Sequence, residues 1–182
     1  MKIVAWDLET SDLAAIMGRI FCCSFLPIRD GVPDKPYSFR LDAKQFRGGS
    51  TIDDSKLAEA IRDELERYHM IVGWNSKLFD LPLLNARLAK AGQRPCRPQL
   101  HLDCMWYAGG ASLRIGSKKL ENVQRFFKLK ESKTPIEWDQ WQAVATGDTK
   151  AMNEVVKHCE ADVRVLSEAY WHLLPYVANI HR

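Results

Sequence analysis

Hydrophobic positions along the chain change period several times, and each change marks an element. Residues 2–8 rise into the apolar run Ile3, Val4, Ala5 and Trp6, and residues 19–28 carry Ile20, Phe21, Cys22, Cys23, Phe25 and Leu26. Both patterns predict central strands. Turn-forming residues crowd the stretch Arg29-Asp30-Gly31-Val32-Pro33-Asp34-Lys35-Pro36, after which Tyr37-Ser38-Phe39-Arg40-Leu41 alternates as a third strand. The three predict an antiparallel meander.

Beyond this point the period lengthens to three or four. Asp53 and Asp54 open a predicted helix with Leu57, Ile61, Leu65 and Tyr68 inward and Glu59, Arg62, Asp63 and Glu66 outward. Met70-Ile71-Val72-Gly73 predicts a short buried strand. A helix over 79–91 follows, with Leu81, Leu84 and Leu88 inward and Gly92 at its end. Residues 100–103 predict a further strand, and 118–129 a helix through Leu120, Val123, Phe126 and Phe127. The last helix, over 149–174, carries the stripe Met152, Val155, Val156, Cys159, Val163, Leu166 and Tyr170. This order, without repeats or low-complexity linkers, predicts one α/β domain over 1–182: a central mixed five-stranded sheet flanked by helices.

A length of 182 residues with 46% hydrophobic and 27% charged positions suits such a domain. No apolar stretch approaches the roughly 18 residues of a membrane span, and no secretory leader or lipidation signal is recognisable. The sequence therefore predicts a cytoplasmic protein without a membrane partner. The five cysteines, Cys22, Cys23, Cys96, Cys104 and Cys159, lack CxxC spacing and read as small buried hydrophobes rather than as a disulfide framework or zinc site. Net charge is only +3, yet residues 87–133 hold eleven Lys or Arg against three Asp or Glu, about +8, leaving about −5 elsewhere. Such asymmetry suits a polyanion-binding face, although solvated helix faces carry similar runs.

The acidic residues stand in telling places. Asp7 and Glu9, two apart in the first strand, point to the same face. His158 and Asp162, four apart in the last helix, share a face beside its apolar stripe. Asp80 lies at the start of a predicted helix. Carboxylates set among apolar neighbours carry a desolvation penalty, and divalent cations relieve it.

The stretch Gly73-Trp74-Asn75-Ser76-Lys77-Leu78-Phe79-Asp80-Leu81-Pro82-Leu83-Leu84 resembles the second motif of the DEDD-type 3′-5′ exonucleases, DnaQ-like members of the ribonuclease H-like superfamily, and above all the exonuclease domains of family B DNA polymerases. Asp7 and Glu9 match the first motif, and His158-Cys159-Glu160-Ala161-Asp162 matches the third in position and in its Cys-x-x-Asp core. The resemblance runs from residue 3 to about 170. One departure stands out: His158 occupies the tyrosine position of the subfamily with this spacing, whereas the histidine subfamily uses a five-residue offset.

The resemblance implies a ribonuclease H-like fold and a two-metal hydrolase. Asp7 would bridge two Mg²⁺ or Mn²⁺ ions about 3.5–4 Å apart, Glu9 and Asp162 would complete the site of the nucleophilic water, and Asp80 would support the second ion. His158 is the expected general base, since a reference pKa of about 6.5 suits proton acceptance near neutrality better than tyrosine's ~10. Asn75, Phe79, Leu8 and Thr10 are the expected contacts to the terminal nucleotide. Lys118 and Lys119, after Gly116-Ser117, would either grip phosphate at a helix start or form a solvated first turn. Trp74, Trp106, Trp138 and Trp141 would stack on bases or, for most, pack internally. Ile136, Trp138, Trp141 and Val144 suggest a short helix that covers the cleft or packs beneath it.

The expected substrate is thus a single-stranded DNA or RNA with a free 3′ end, with a polymerase or a repair or replication protein as partner. Two other readings remain at this stage: a ribonuclease H-like endonuclease, and a nucleic-acid-binding module with weak or no turnover.

Overall fold

The chain runs through β1 (Ile3–Thr10), β2 (Ile20–Ile28), β3 (Tyr37–Arg40), α1 (Ser55–Leu65), β4 (Met70–Gly73), α2 (Asp80–Lys90), β5 (Leu100–Asp103), α3 (Cys104–Ala108), α4 (Leu120–Phe127), α5 (Trp138–Ala145) and α6 (Thr149–Leu173), ending in a 3₁₀ turn at Leu174–Tyr176. This computed structural model describes residues 1–29, 34–46, 53–110, 113–131 and 136–180. The middle of the predicted turn, 30–33, and Lys133 of the basic segment lie outside the described residues.

The sheet has the order β3-β2-β1-β4-β5. β1 and β3 pair antiparallel with β2, while β4 pairs parallel with β1 and β5 parallel with β4. This is the predicted meander joined to a parallel half. Every element foreseen is present; the short helix α3 was not foreseen, and β1 extends past Leu8 to Thr10.

Strand alternation sorts the core. Val4, Trp6 and Leu8 pack with Leu57 and Ile61 of α1 and Leu84 and Leu88 of α2. Ala5 packs instead with Val72, Leu102 and the later turns of α6 through Val163, Leu166 and Tyr170. Side chains two apart share a face, so Asp7 and Glu9 continue the Ala5 side, toward α6. Immediately after Glu9 the ladder shifts: Glu9 faces Cys22 but Thr10 faces Ile20. The extra residue, Phe21, makes a bulge, a device that bends a strand and re-aims its end.

Two features depart from the sequence reading. Arg62, expected outward, is buried and ion-paired with Asp63 at 2.7 Å and Glu59 at 3.3 Å. The cause is the segment after α2, whose Arg94 pairs with Glu66 at 2.6 Å and covers that flank of α1. Arg87, counted in the basic segment, is also buried: its guanidinium bonds Asp54 at 2.6 Å and the Ala15 carbonyl at 3.0 Å. Asp54 in turn accepts the N–H of Ile20 at 2.8 Å, so this pair fastens α2 to the start of α1 and of β2. No described helix is long and apolar enough to cross a membrane.

Candidate active site

At the end of β1, the α6-facing side chains meet the middle of α6. The ligand atoms of Asp7, Glu9 and Cys159 all lie within 4.8 Å of one another. The Cys159 thiol donates to the Asp7 backbone carbonyl at 3.4 Å, and its Sγ is 3.6 Å from Asp7 Oδ2. His158 Nε2 is 3.6 Å from Glu9 Oε1 and 3.9 Å from Asp162 Oδ2. The four-residue spacing puts His158 and Asp162 one above the other, and Asp162 is buried. Burial pushes the Cys159 thiol well up, with further contributions from Cys22, Asp7 and Glu9.

The loop between β4 and α2 supplies the other carboxylate. A Cβ on Gly73 would fall 1.9 Å from Ser76 Oγ, so only glycine lets the chain fold back this tightly. Asn75 follows in the left-handed region at φ 60°, a conformation that Asn tolerates better than most residues. Its carbonyl accepts the N–H groups of Leu78 and Phe79 at 3.1 and 3.0 Å. Asp103, the last residue of β5, accepts from Asn75 N at 2.9 Å, Lys77 N at 3.1 Å and Met105 N at 3.1 Å, thereby capping α3 as well. Ser76 Oγ and His101 Nε2 share a buried hydrogen bond of 2.8 Å.

This loop delivers Asp80 into the first turn of α2, almost fully buried, with Oδ1 accepting the N–H of Leu8 at 3.1 Å. Burial pushes its carboxyl up to about 7; the Leu8 N–H works against that shift and the Asp103 charge adds to it. A carboxyl so desolvated is one whose ionised form a divalent cation would stabilise. The oxygen donors of Asp7 and Glu9 converge, and Asp80 is tied to the peptide between them. The donor set therefore fits the hard divalent cations expected from the sequence.

Among the described residues, the close donor cluster is Asp7, Glu9 and Cys159, with Asp80 and Asp162 standing outside it. Cys159, read as a hydrophobe, is a member. Leu8, expected against the terminal nucleotide, is buried in the α1–α2 core, and its N–H is taken by Asp80. Strand alternation is the reason: the neighbour of two site residues must point away from them.

Thr10 is partly exposed and donates from Oγ1 to the Asp12 carbonyl at 2.9 Å. Asn75 is half-buried with its N–H used by Asp103, and Phe79 is half-buried against the core. Lys118 and Lys119 are exposed. Trp74 Nε1 donates to the Lys118 carbonyl at 2.9 Å, holding the entry to α4 beside the end of β4. Lys119 N–H and Asn122 Nδ2 both donate to Ser117 Oγ, at 3.2 and 2.7 Å. Of the basic segment, Arg87 is buried on Asp54, whereas Arg94 and Arg97 pair with Glu66 and stay exposed.

α5 packs against β2 and α6 beside the site. Its Trp141 stacks on Phe21 at 6.3 Å and meets the His158 ring edge-on at 6.5 Å. Trp6 is wholly buried, whereas Trp106 and Trp138 are 66% and 71% exposed, so internal packing does not account for those two.

Comparison with known proteins follows the same lines. Residues 4–174 match the model of the RNase_H superfamily, and the chain belongs to that superfamily of nuclease-type hydrolases. Among solved structures, the family B DNA polymerase of the hyperthermophilic archaeon Pyrobaculum calidifontis is similar in fold, with a TM-score of 0.74 and 17% identity over 96% of this chain. The chain spans only 24% of that polymerase. No curated protein sequence matches the chain.

Proposed function

We propose that the chain is a single-domain, metal-dependent 3′-5′ exonuclease that hydrolyses the terminal phosphodiester of single-stranded DNA or RNA in the cytoplasm, alone or beside a polymerase or repair protein. The observation that carries this reading is the meeting of Asp7 and Glu9 on β1 with His158 and Asp162 on α6, while Asp80 bonds the intervening Leu8 N–H. Three separated segments thus bring acids to one strand end, each in the motif the resemblance requires.

Asp7, Glu9, Asp80 and Asp162 would hold two divalent cations, Mg²⁺ or Mn²⁺, which when bound supply an acidified water and offset charge on the phosphoryl and leaving 3′ oxygens. His158 Nε2, within 4 Å of both Glu9 and Asp162, accepts a hydrogen bond from the attacking water, aligns it and takes its proton. The two carboxylates stabilise the imidazolium so formed. Trp141 lies edge-on to the imidazole. Thr10, Asn75 and Phe79 border the strand end and the loop to α2, where a terminal nucleotide would lie, and Lys118 and Lys119 offer charge to the phosphates behind it.

Linear and circular single strands in one Mg²⁺- or Mn²⁺-containing reaction test the exonuclease reading. The linear strand should be consumed to mononucleotides while the circle persists. Cutting of the circle would replace this reading with an endonuclease.

A further inference from the structure

We infer that the pocket at the β5 edge of the sheet, between Trp106 of α3 and Leu78 of the β4–α2 loop, is a nucleobase subsite that stacks a base of the single strand upstream of the scissile bond. The inference deepens the proposed function and rests on its single-stranded substrate, but not on the polarity of cleavage or on either metal ion.

Position supports it first. β1, β4 and β5 run parallel, so Asp7 and Glu9, the loop bearing Asp80, and Asp103 with α3 stand along one end of the sheet. β5 lies two strands from β1, roughly 10 Å at the usual strand spacing, within reach of the next nucleotides of a strand whose end lies at Asp7 and Glu9. One loop serves both places: it supplies Lys77 and Leu78 to the pocket and Asp80 to the candidate active site. α3 lies outside the three motifs, so the pocket adds to what they define.

Chemistry supports it second. The pocket has a volume of about 290 Å³ between Lys77, Leu78, Asp103, Met105, Trp106 and Tyr107, with mostly apolar walls, ample for one base. Trp106 is 66% and Leu78 76% exposed, so a flat aromatic face stands in solvent beside an apolar wall, and a stacked base would cover both. Lysines flank it. Lys77 is half-buried, and burial pushes its ammonium down while Asp103 works against that shift. Lys118 is exposed, and its stem lies along the end of α3, where a Cβ on Gly109 would meet its Cγ at 3.4 Å. The two offer cations to the phosphates beside a stacked base. Asp103 lines the pocket with a carboxylate that already accepts three backbone N–H groups, so it admits an uncharged base and repels the phosphate itself.

The test titrates the whole protein with 5′-labelled oligothymidylate in Ca²⁺ in place of Mg²⁺, reads anisotropy, and walks a single abasic residue along the strand. Wild type should lose about tenfold in affinity when the abasic residue reaches one position. Trp106→Ala should bind the intact strand about tenfold more weakly and lose less than about twofold further at that position, whereas Trp106→Phe should stay within about threefold of wild type. Leu78→Ala, on the opposite wall, should reduce the same abasic penalty, so the inference does not depend on how one variant folds. Abasic penalties that Trp106→Ala and Leu78→Ala leave unchanged at every position would overturn the inference. So would unchanged strand affinity with an altered oligomeric state in sedimentation, which would make the pocket a protein interface. A strand bound at the pocket but never cut in Mg²⁺ or Mn²⁺ would overturn the proposed exonuclease and leave the subsite standing. Failure of any single strand to bind would overturn both.

Discussion

The backbone N–H of Leu8 donates to the carboxylate of Asp80 at 3.1 Å across a sequence separation of 72 residues, so β1 is tied at its functional end to the first turn of α2. Asp80 therefore has a structural part to play besides any cation.

Substitution separates the two. Asp80→Asn keeps an acceptor for Leu8 N–H and should leave the fold intact while abolishing activity. Asp80→Ala strands a buried donor and should cost about 1–3 kcal/mol more, read by chemical denaturation. The pH dependence has a definite sign. Because burial raises the Asp80 carboxyl to about 7, its contribution to the stability of the metal-free protein is complete below about 3.8 and is lost as pH rises through 7. Asp80→Asn should flatten that decline in a plot of metal-free thermal midpoint against pH.

His101 should act in the opposite direction. Burial, with the Lys77 charge second, pushes its imidazole down to about 3, and the neutral ring holds Ser76 at 2.8 Å. A depressed base stabilises the fold above its unfolded pKa of about 6.5, and that stability falls as pH drops toward 3. At pH 5 the deficit relative to pH 7.5 should be about 2 kcal/mol. His101→Asn should remove this slope, measured by urea unfolding across the same range.

The Asp54–Arg87 pair gives a third expectation. Arg87→Ala leaves a buried carboxylate without its cation and should destabilise by about 3–5 kcal/mol in equilibrium unfolding. Nucleic-acid affinity of the folded fraction should be unchanged, because the guanidinium is committed to Asp54 and the Ala15 carbonyl.

Lys118 and Lys119 should behave in the reverse way. Their double substitution by Gln should leave stability within about 0.5 kcal/mol of wild type. It should weaken binding of all single strands alike and lower the salt dependence by about one to two ion equivalents. Titrations at three salt concentrations read the slope directly.

Much of this was legible in the sequence because it is local. Period-two runs announced the strands, period-3.6 runs the helices, and the Asp7–Glu9 and His158–Asp162 spacings announced shared faces that the structure bears out. What escaped depends on contacts between distant segments. Arg87 looked like part of a basic face until Asp54, 33 residues away, was seen to neutralise it. Asp103 looked like an ordinary strand end, although the rule that singled out Asp7, an acid closing an apolar strand, applied to it equally. Cys159 looked apolar because its helix stripe is apolar; only the packing of α6 on the end of β1 shows that this stripe runs into the carboxylates. Leu8 obeys the same alternation as its neighbours: its side chain turns to the opposite face, into the α1–α2 core.

The central claim is directional hydrolysis at the Asp7–Glu9 centre, and a gel time course with matched 5′-labelled single-stranded DNA and RNA, in Mg²⁺ or Mn²⁺, tests it most directly. Wild type should give a ladder that shortens from the 3′ end and so also reveal the preferred sugar, while Asp7→Ala should give none. A ladder that persists undiminished in Asp7→Ala, or no cleavage of either strand by wild type with either metal, would contradict it.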